Sequence, residues 1–197
     1  FVFLFTRTSL FSAYTLTMEP SSISKGSYGH SLVAEVSYSP PHFSNWLKSY
    51  SGKDVLFLLA PDWIQRSPIE IKHFLSNDLS TGILVSTAAS QAELNSSIKL
   101  YEQVFQKHPL WTMCSPEPCT DEIITFFYSK KINVVSPLFE LKNIEQLETL
   151  EDGAIISTAF SRDHSLEPDD LNLLIQHPFI SIEQNLLGLS VKTKRYP

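Results

Sequence analysis

Residues 33–42 read VAEVSYSPPH. With the two residues before it, SLVAEV (31–36) is a short run rich in aliphatic residues, as expected of a buried strand in a parallel sheet. The strand runs into a loop of Tyr38, Ser39, Pro40 and Pro41. Enzymes built on parallel strands place polar working groups at the carboxyl ends of those strands. This loop has no carboxylate to offer.

The same kind of run recurs along the chain. DVLFLLA (54–60), TGILVS (81–86), INVVSP (132–137) and GAIISTAF (153–160) are short, aliphatic and bounded by Gly, Pro or Ser. Between them, residues 43–50, 67–78, 91–107, 119–131, 143–150 and 169–177 carry apolar side chains at helical spacing. Ser67 followed by Pro68 predicts an N-cap with proline at the first helical position, and Asp121 and Glu122 after Thr120 place acids in a first turn. Strand and helix alternate, which predicts βαβ units and a mostly parallel sheet, either closed into a barrel or open. No internal repeat or low-complexity tract divides the chain.

At 197 residues, with 43% hydrophobic and 18% charged residues, the chain can bury one substantial core. A formal net charge of −6 argues against nucleic acid as a partner, because phosphates are bound by clustered Lys and Arg. The local basic run 192–195 reads as a solvated tail. The opening stretch FVFLFTRTSLFSAYTLT is too short for a membrane span, so the expectation is a signal remnant or a packed strand over 1–24, with the domain over 25–197. A signal remnant implies a secreted, wall- or coat-associated protein. Cys114 and Cys119 flank SPEP without a second ligand pair, which leaves a small disulfide loop or two inert thiols. Asn95-Ser96-Ser97 is a glycosylation sequon that matters only after export.

Taken in order, these segments resemble the NodB-type polysaccharide deacetylase domain, carbohydrate esterase family 4, and most of all the fungal-type chitin deacetylases. VAEVSYSPP resembles the family's first strand and its Thr-Phe-Asp-Asp-Gly-Pro loop, with Pro41 retained. SYSGKDVLFLLA resembles the approach to the second strand. TGILVSTAAS resembles the third strand and its His-Thr-x-x-His motif, with Ile83 and Thr87 matching. CSPEP takes the place of the Arg-Pro-Pro-Tyr-Gly loop, keeping Pro116, and FISIEQNLLGL resembles the closing strand, with Leu186 where a cysteine commonly sits. The fold implied is α/β, a deformed (β/α) barrel.

The resemblance also implies a chemistry, and the chain lacks its groups. Family members hydrolyse an N-acetyl group with zinc or another divalent metal held by one Asp and two His, an Asp as general base and a late His as general acid. Carried over, the base falls on Tyr38, the metal Asp on Ser39 and the two metal His on Ser86 and Ser90. The Arg that orients the base falls on Cys114 and the late His near Ala159. Neutral hydroxyls do not replace two imidazoles and a carboxylate around a borderline-soft dication, and a phenol with a pKa near 10 is a poor base at neutrality.

The expectation is therefore a pseudoenzyme without cofactor: a chitin deacetylase-like protein acting as a glycan-binding or structural component of a wall or coat. The alternative is a working metal-dependent deacetylase with relocated ligands, drawing on His42 or on His164 in Arg162-Asp163-His164. Trp63 and Trp111, in or beside loops, are the candidates for stacking on sugar rings. Trp46, on an apolar helix face, is assigned to the core.

Overall fold

The computed structural model describes residues 16–50, 52, 54–162 and 165–188. Seven parallel strands form one sheet: β1 (Ser22–Ile23), β2 (Ser31–Val36), β3 (Val55–Leu59), β4 (Thr81–Ser86), β5 (Trp111–Ser115), β6 (Asn133–Val135) and β7 (Ile155–Phe160), in the order β1-β6-β5-β4-β3-β2-β7. Every residue of β2, β3 and β6 is buried, which explains why these strands read as unbroken apolar runs rather than alternating ones. The chain leaving β6 then crosses to the free edge of β7. There the N–H groups of Leu138 and Leu141 donate to the carbonyls of Ile155 and Ser157, and Ser157 N–H donates to the carbonyl of Phe139. This returning segment joins the two ends of the strand row into a deformed (β/α) barrel, as the sequence implied.

Helices cover the outside: α1 (Phe43–Ser49), α2 (Pro61–Arg66), α3 (Pro68–Asn77), α4 (Gln91–Phe105), α5 (Asp121–Ser129), α6 (Pro168–Leu174) and α7 (Ile182–Leu187). The start of α4 is fixed by a capping box, in which Ser90 and Glu93 each satisfy the other's backbone N–H. Ser67 stands at the N-cap of α3 as expected, but its side chain makes no capping hydrogen bond, so Pro68 is what sets that start. Between α1, α3 and the sheet lies an aromatic layer. Phe43 meets Trp63 and Phe160 edge-on, and Phe57 meets Phe74 in the same way at 5.0 Å between ring centroids.

Several elements depart from the sequence reading. The pair β5 and α2 fall where loops are expected, because five and six residues are too few for periodicity to declare itself. The closing FISIEQNLLGL is not a strand but carries α7, with Ser181 accepting from Gln184 N–H and Gly188 in the left-handed region at φ 66°. Residues 144–149 form a single 3-10 segment rather than an α-helix. Within the segment 1–24, β1 pairs with β6, and Leu16 N–H donates to Asn133 Oδ1 at 2.7 Å. The apolar opening over 1–15, and with it the signal-remnant reading, lies outside the described residues. Among those residues no helix is long and apolar enough to cross a membrane.

The amino end of the barrel is closed by α7. Its Asn185 is fully buried and donates from Nδ2 to the Ser31 hydroxyl and the Gly153 carbonyl, both at 3.1 Å, while accepting from Tyr28 N–H. With that end plugged, the carboxyl end is the open mouth.

Candidate functional site at the barrel mouth

Two adjoining cavities open at the carboxyl ends of the strands. The larger, about 750 Å³, runs from the mouth between α2 and α4, and the smaller, about 360 Å³, lies towards the Cys114–Cys119 loop and the segment after β6. Glu35, Ser115, Ala159 and Ser161 line both; Ser37 and Ser86 line the larger and Ser157 the smaller. Volumes of a few hundred cubic ångströms are those of ligand sites. The polar groups at the centre are hydroxyls around one carboxyl group.

That carboxyl group belongs to Glu35, the penultimate residue of β2. Alternation along the strand turns Ser31, Val33 and Glu35 to one face, and Glu35 lies in register with Ala159 on β7 and Leu58 on β3. It is only 7% exposed. Burial raises its pKa above the ordinary carboxylate range; hydrogen bonds from the Ser157 and Ser115 hydroxyls oppose the rise, and the nearby charge of Glu140 adds to it. Because the folded state holds this proton more tightly than the unfolded chain, the ionised carboxylate costs stability. The cost appears as pH rises from the unfolded pKa through the raised folded value. Denaturant titrations should therefore show wild type losing stability relative to Glu35→Gln between acid and neutral pH, and a constant difference between the two would refute the assignment.

The residues singled out from sequence are not all brought to this place. Ser86 and Ala159 line the larger cavity, and Cys114 lines the smaller, where it is bonded to Cys119 in a disulfide. Tyr38, Ser39 and Ser90 line neither. Ser39 accepts the indole N–H of Trp63 at 2.8 Å, Tyr38 lies under the Arg162 guanidinium at 5.9 Å, and Ser90 caps α4. In the first loop it is Ser37, with Glu35 before it, that faces the mouth. Glu35 is inconspicuous in the sequence because it lies within β2 and not in the loop that follows. The available signal was a carboxylate inside an otherwise apolar strand, since Glu is rarely buried without a reason.

Both tryptophan assignments are corrected. Trp63 is fully buried against Phe43 and Phe74 on α2, and Trp111 is 3% exposed. Trp111 opens β5, so it stands at the plugged end of the barrel, where its indole N–H donates to Glu183 of α7 at 2.7 Å. Neither ring has a face free to stack on a sugar. Trp46 is core, as assigned.

The groups at the mouth do not form the one-Asp, two-His set of a zinc site. Cys114 and Cys119 are committed to each other, and beside Glu35 the linings offer serine hydroxyls and the carboxylates of Asp62, Glu93, Glu117 and Glu140, with no imidazole among the described residues. Among the described residues no three His, Cys, Asp or Glu side chains come together as a metal site. His42 is the N-cap residue of α1 and lines neither cavity. His30 and His177 pair with each other at 3.3 Å, His177 lining a third cavity beside Tyr50 and Asp54. Asp163 and His164 lie outside the described residues.

Neither a comparison with models of known protein families nor a search of curated proteins finds a match. Solved structures do match. A peptidoglycan N-acetylglucosamine deacetylase superposes with a TM-score of 0.68 at 12% identity, over 88% of this chain and 92% of the other. A family 4 carbohydrate esterase from Bacillus anthracis gives 0.65 at 12% identity, over 83% and 86%. A mutant of a family 4 pseudoenzyme, whose wild-type form is from Bacillus anthracis, gives 0.66 at 14% identity, over 81% of this chain. The present chain spans 66% of that pseudoenzyme's length. These likenesses establish the fold, which is shared by structures described as deacetylases and as pseudoenzymes.

Proposed function

We propose that this protein is a catalytically inactive member of the polysaccharide deacetylase fold that binds a glycan at the barrel mouth, as a secreted component of a wall or coat. The observation that carries the reading is the composition of the mouth: Glu35 shares its lining with Ser37, Ser86, Ser115, Ser157 and Ser161, with no imidazole among the described residues there. Amide hydrolysis by the family's chemistry depends on a metal-activated water, and among the described residues no three His, Cys, Asp or Glu side chains come together to hold the metal. No cofactor is required. What remains is a cavity of about 750 Å³ rich in hydroxyl groups, suited to hydrogen-bonding a sugar.

Export is supported by the Cys114–Cys119 bridge, since disulfides persist in oxidising compartments. Chitin is the polymer suggested by the sequence resemblance, and peptidoglycan is named for one of the solved structures. Incubation with chitin beads tests the reading: the protein is retained on the beads and releases no acetate from them. Failure to be retained by any wall polysaccharide overturns the binding role, and acetate release that a chelator abolishes establishes the alternative of a working deacetylase with relocated ligands.

A further inference from the structure

The mouth carries one sign of charge. Glu35, Asp62 and Glu93 line the larger cavity and Glu35, Glu117 and Glu140 the smaller, with no Lys, Arg or His in either lining among the described residues. The arginines on adjoining segments are engaged elsewhere. Arg66 pairs with Asp62 at 2.9 Å and donates to the Ser37 carbonyl, and Arg162 sits over the Tyr38 ring. Glu93 is occupied in capping α4.

Glu35 stands apart from the other four acids. It is more than nine-tenths buried, faces both cavities and receives the hydroxyls of Ser115 and Ser157, yet no cation among the described residues meets it. A buried carboxylate is normally paired with a positive charge, because hydroxyl donors alone do not repay its desolvation. Burial and the nearby charge of Glu140 raise its pKa, and no cation among the described residues opposes them. A ligand that brings a counter-ion would let the proton leave.

We infer that the mouth takes a cationic saccharide, an amino sugar with a free ammonium group, and that the Glu35 carboxylate is the counter-ion of that group. The inference rests on the glycan reading above and specifies its ligand. An ammonium group has three hydrogens to donate and finds the Glu35 carboxylate and the serine oxygens as acceptors, whereas a neutral acetamide leaves the charge of the site uncompensated. On binding, the ammonium supplies the counter-ion that the buried Glu35 carboxyl group lacks and so lowers its raised pKa. Glu93, Glu117 and Glu140 add long-range attraction that salt screens.

The test is calorimetric titration of the full chain with the glucosamine tetramer and, in parallel, with the fully N-acetylated tetramer, at mildly acid pH where the amines are charged. The glucosamine tetramer binds more tightly, releases a proton detectable by comparing two buffers, and weakens with added salt. Glu35→Gln, nearly isosteric, abolishes the proton release and weakens this ligand by roughly tenfold or more. Glu140→Gln, changing a half-buried group, has a smaller effect and shows that the loss belongs to Glu35. Binding of the acetylated tetramer alone overturns the inference and leaves the glycan reading standing; binding of neither tetramer to the folded protein overturns both.

Discussion

Trp63→Ala is expected to cost about 3–5 kcal/mol of unfolding free energy, the range for removing a large aromatic side chain from a packed core. Trp63 fills the space between α2 and the aromatic layer, touching Phe43 at 6.1 Å and Phe74 at 6.1 Å between ring centroids, and its indole N–H is taken up by the Ser39 hydroxyl. Truncation leaves a cavity that this rigid layer cannot collapse into, and leaves the Ser39 hydroxyl without its donor. Urea unfolding at fixed pH gives the number. A variant of unchanged stability that had lost glycan binding would restore the sugar-stacking role and refute the burial described above.

Asn185→Leu is expected to cost about 2–3 kcal/mol, although the side chain keeps the same number of heavy atoms and the same branching. The side chain is fully buried and makes three hydrogen bonds, with Ser31, Gly153 and Tyr28, that tie α7 to the start of β2 and to the turn before β7. Leucine offers none, so polar groups that the fold has taken out of water are left unpaired at the plugged end of the barrel. The Trp111–Glu183 hydrogen bond depends on the same helix being seated, so hydrogen exchange at the start of β5 should accelerate in this variant. A loss below about 0.5 kcal/mol, the size of an ordinary surface change, would mean that α7 is not the plug.

These two residues also show what a sequence makes legible. The parallel strands were readable because burial on both faces leaves an unbroken aliphatic run, as in SLVAEV and DVLFLLA. Short elements are not: β5 offers only WTMCS, and the resemblance implies a strand where α7 lies, although Ser181 three residues before Gln184 is a helix-start signal. Trp63 and Trp111 could not be placed from sequence because an aromatic side chain beside a loop looks the same whether its face is free or packed; only the tertiary contacts decide.

The mouth was legible in part. Of the positions that the resemblance assigns to the site, Ser86, Cys114 and Ala159 line one or other cavity, whereas Tyr38, Ser39 and Ser90 do not. The first loop misled in detail, since a shift of one or two residues in a turn moves a side chain from the cavity to the outer layer, as Ser37 and Ser39 illustrate. Glu35 was hidden for a different reason. The family pattern draws the eye to the loop, while the one central acid of this site sits on the strand itself.

The central claim is that this barrel mouth binds without hydrolysing. It is tested most directly by measuring acetate released from soluble chitin oligomers by the full chain with zinc added, before and after a chelator. No release above background under either condition is the result predicted from the serine-lined mouth around Glu35. Turnover that appears with zinc and disappears with the chelator would contradict it.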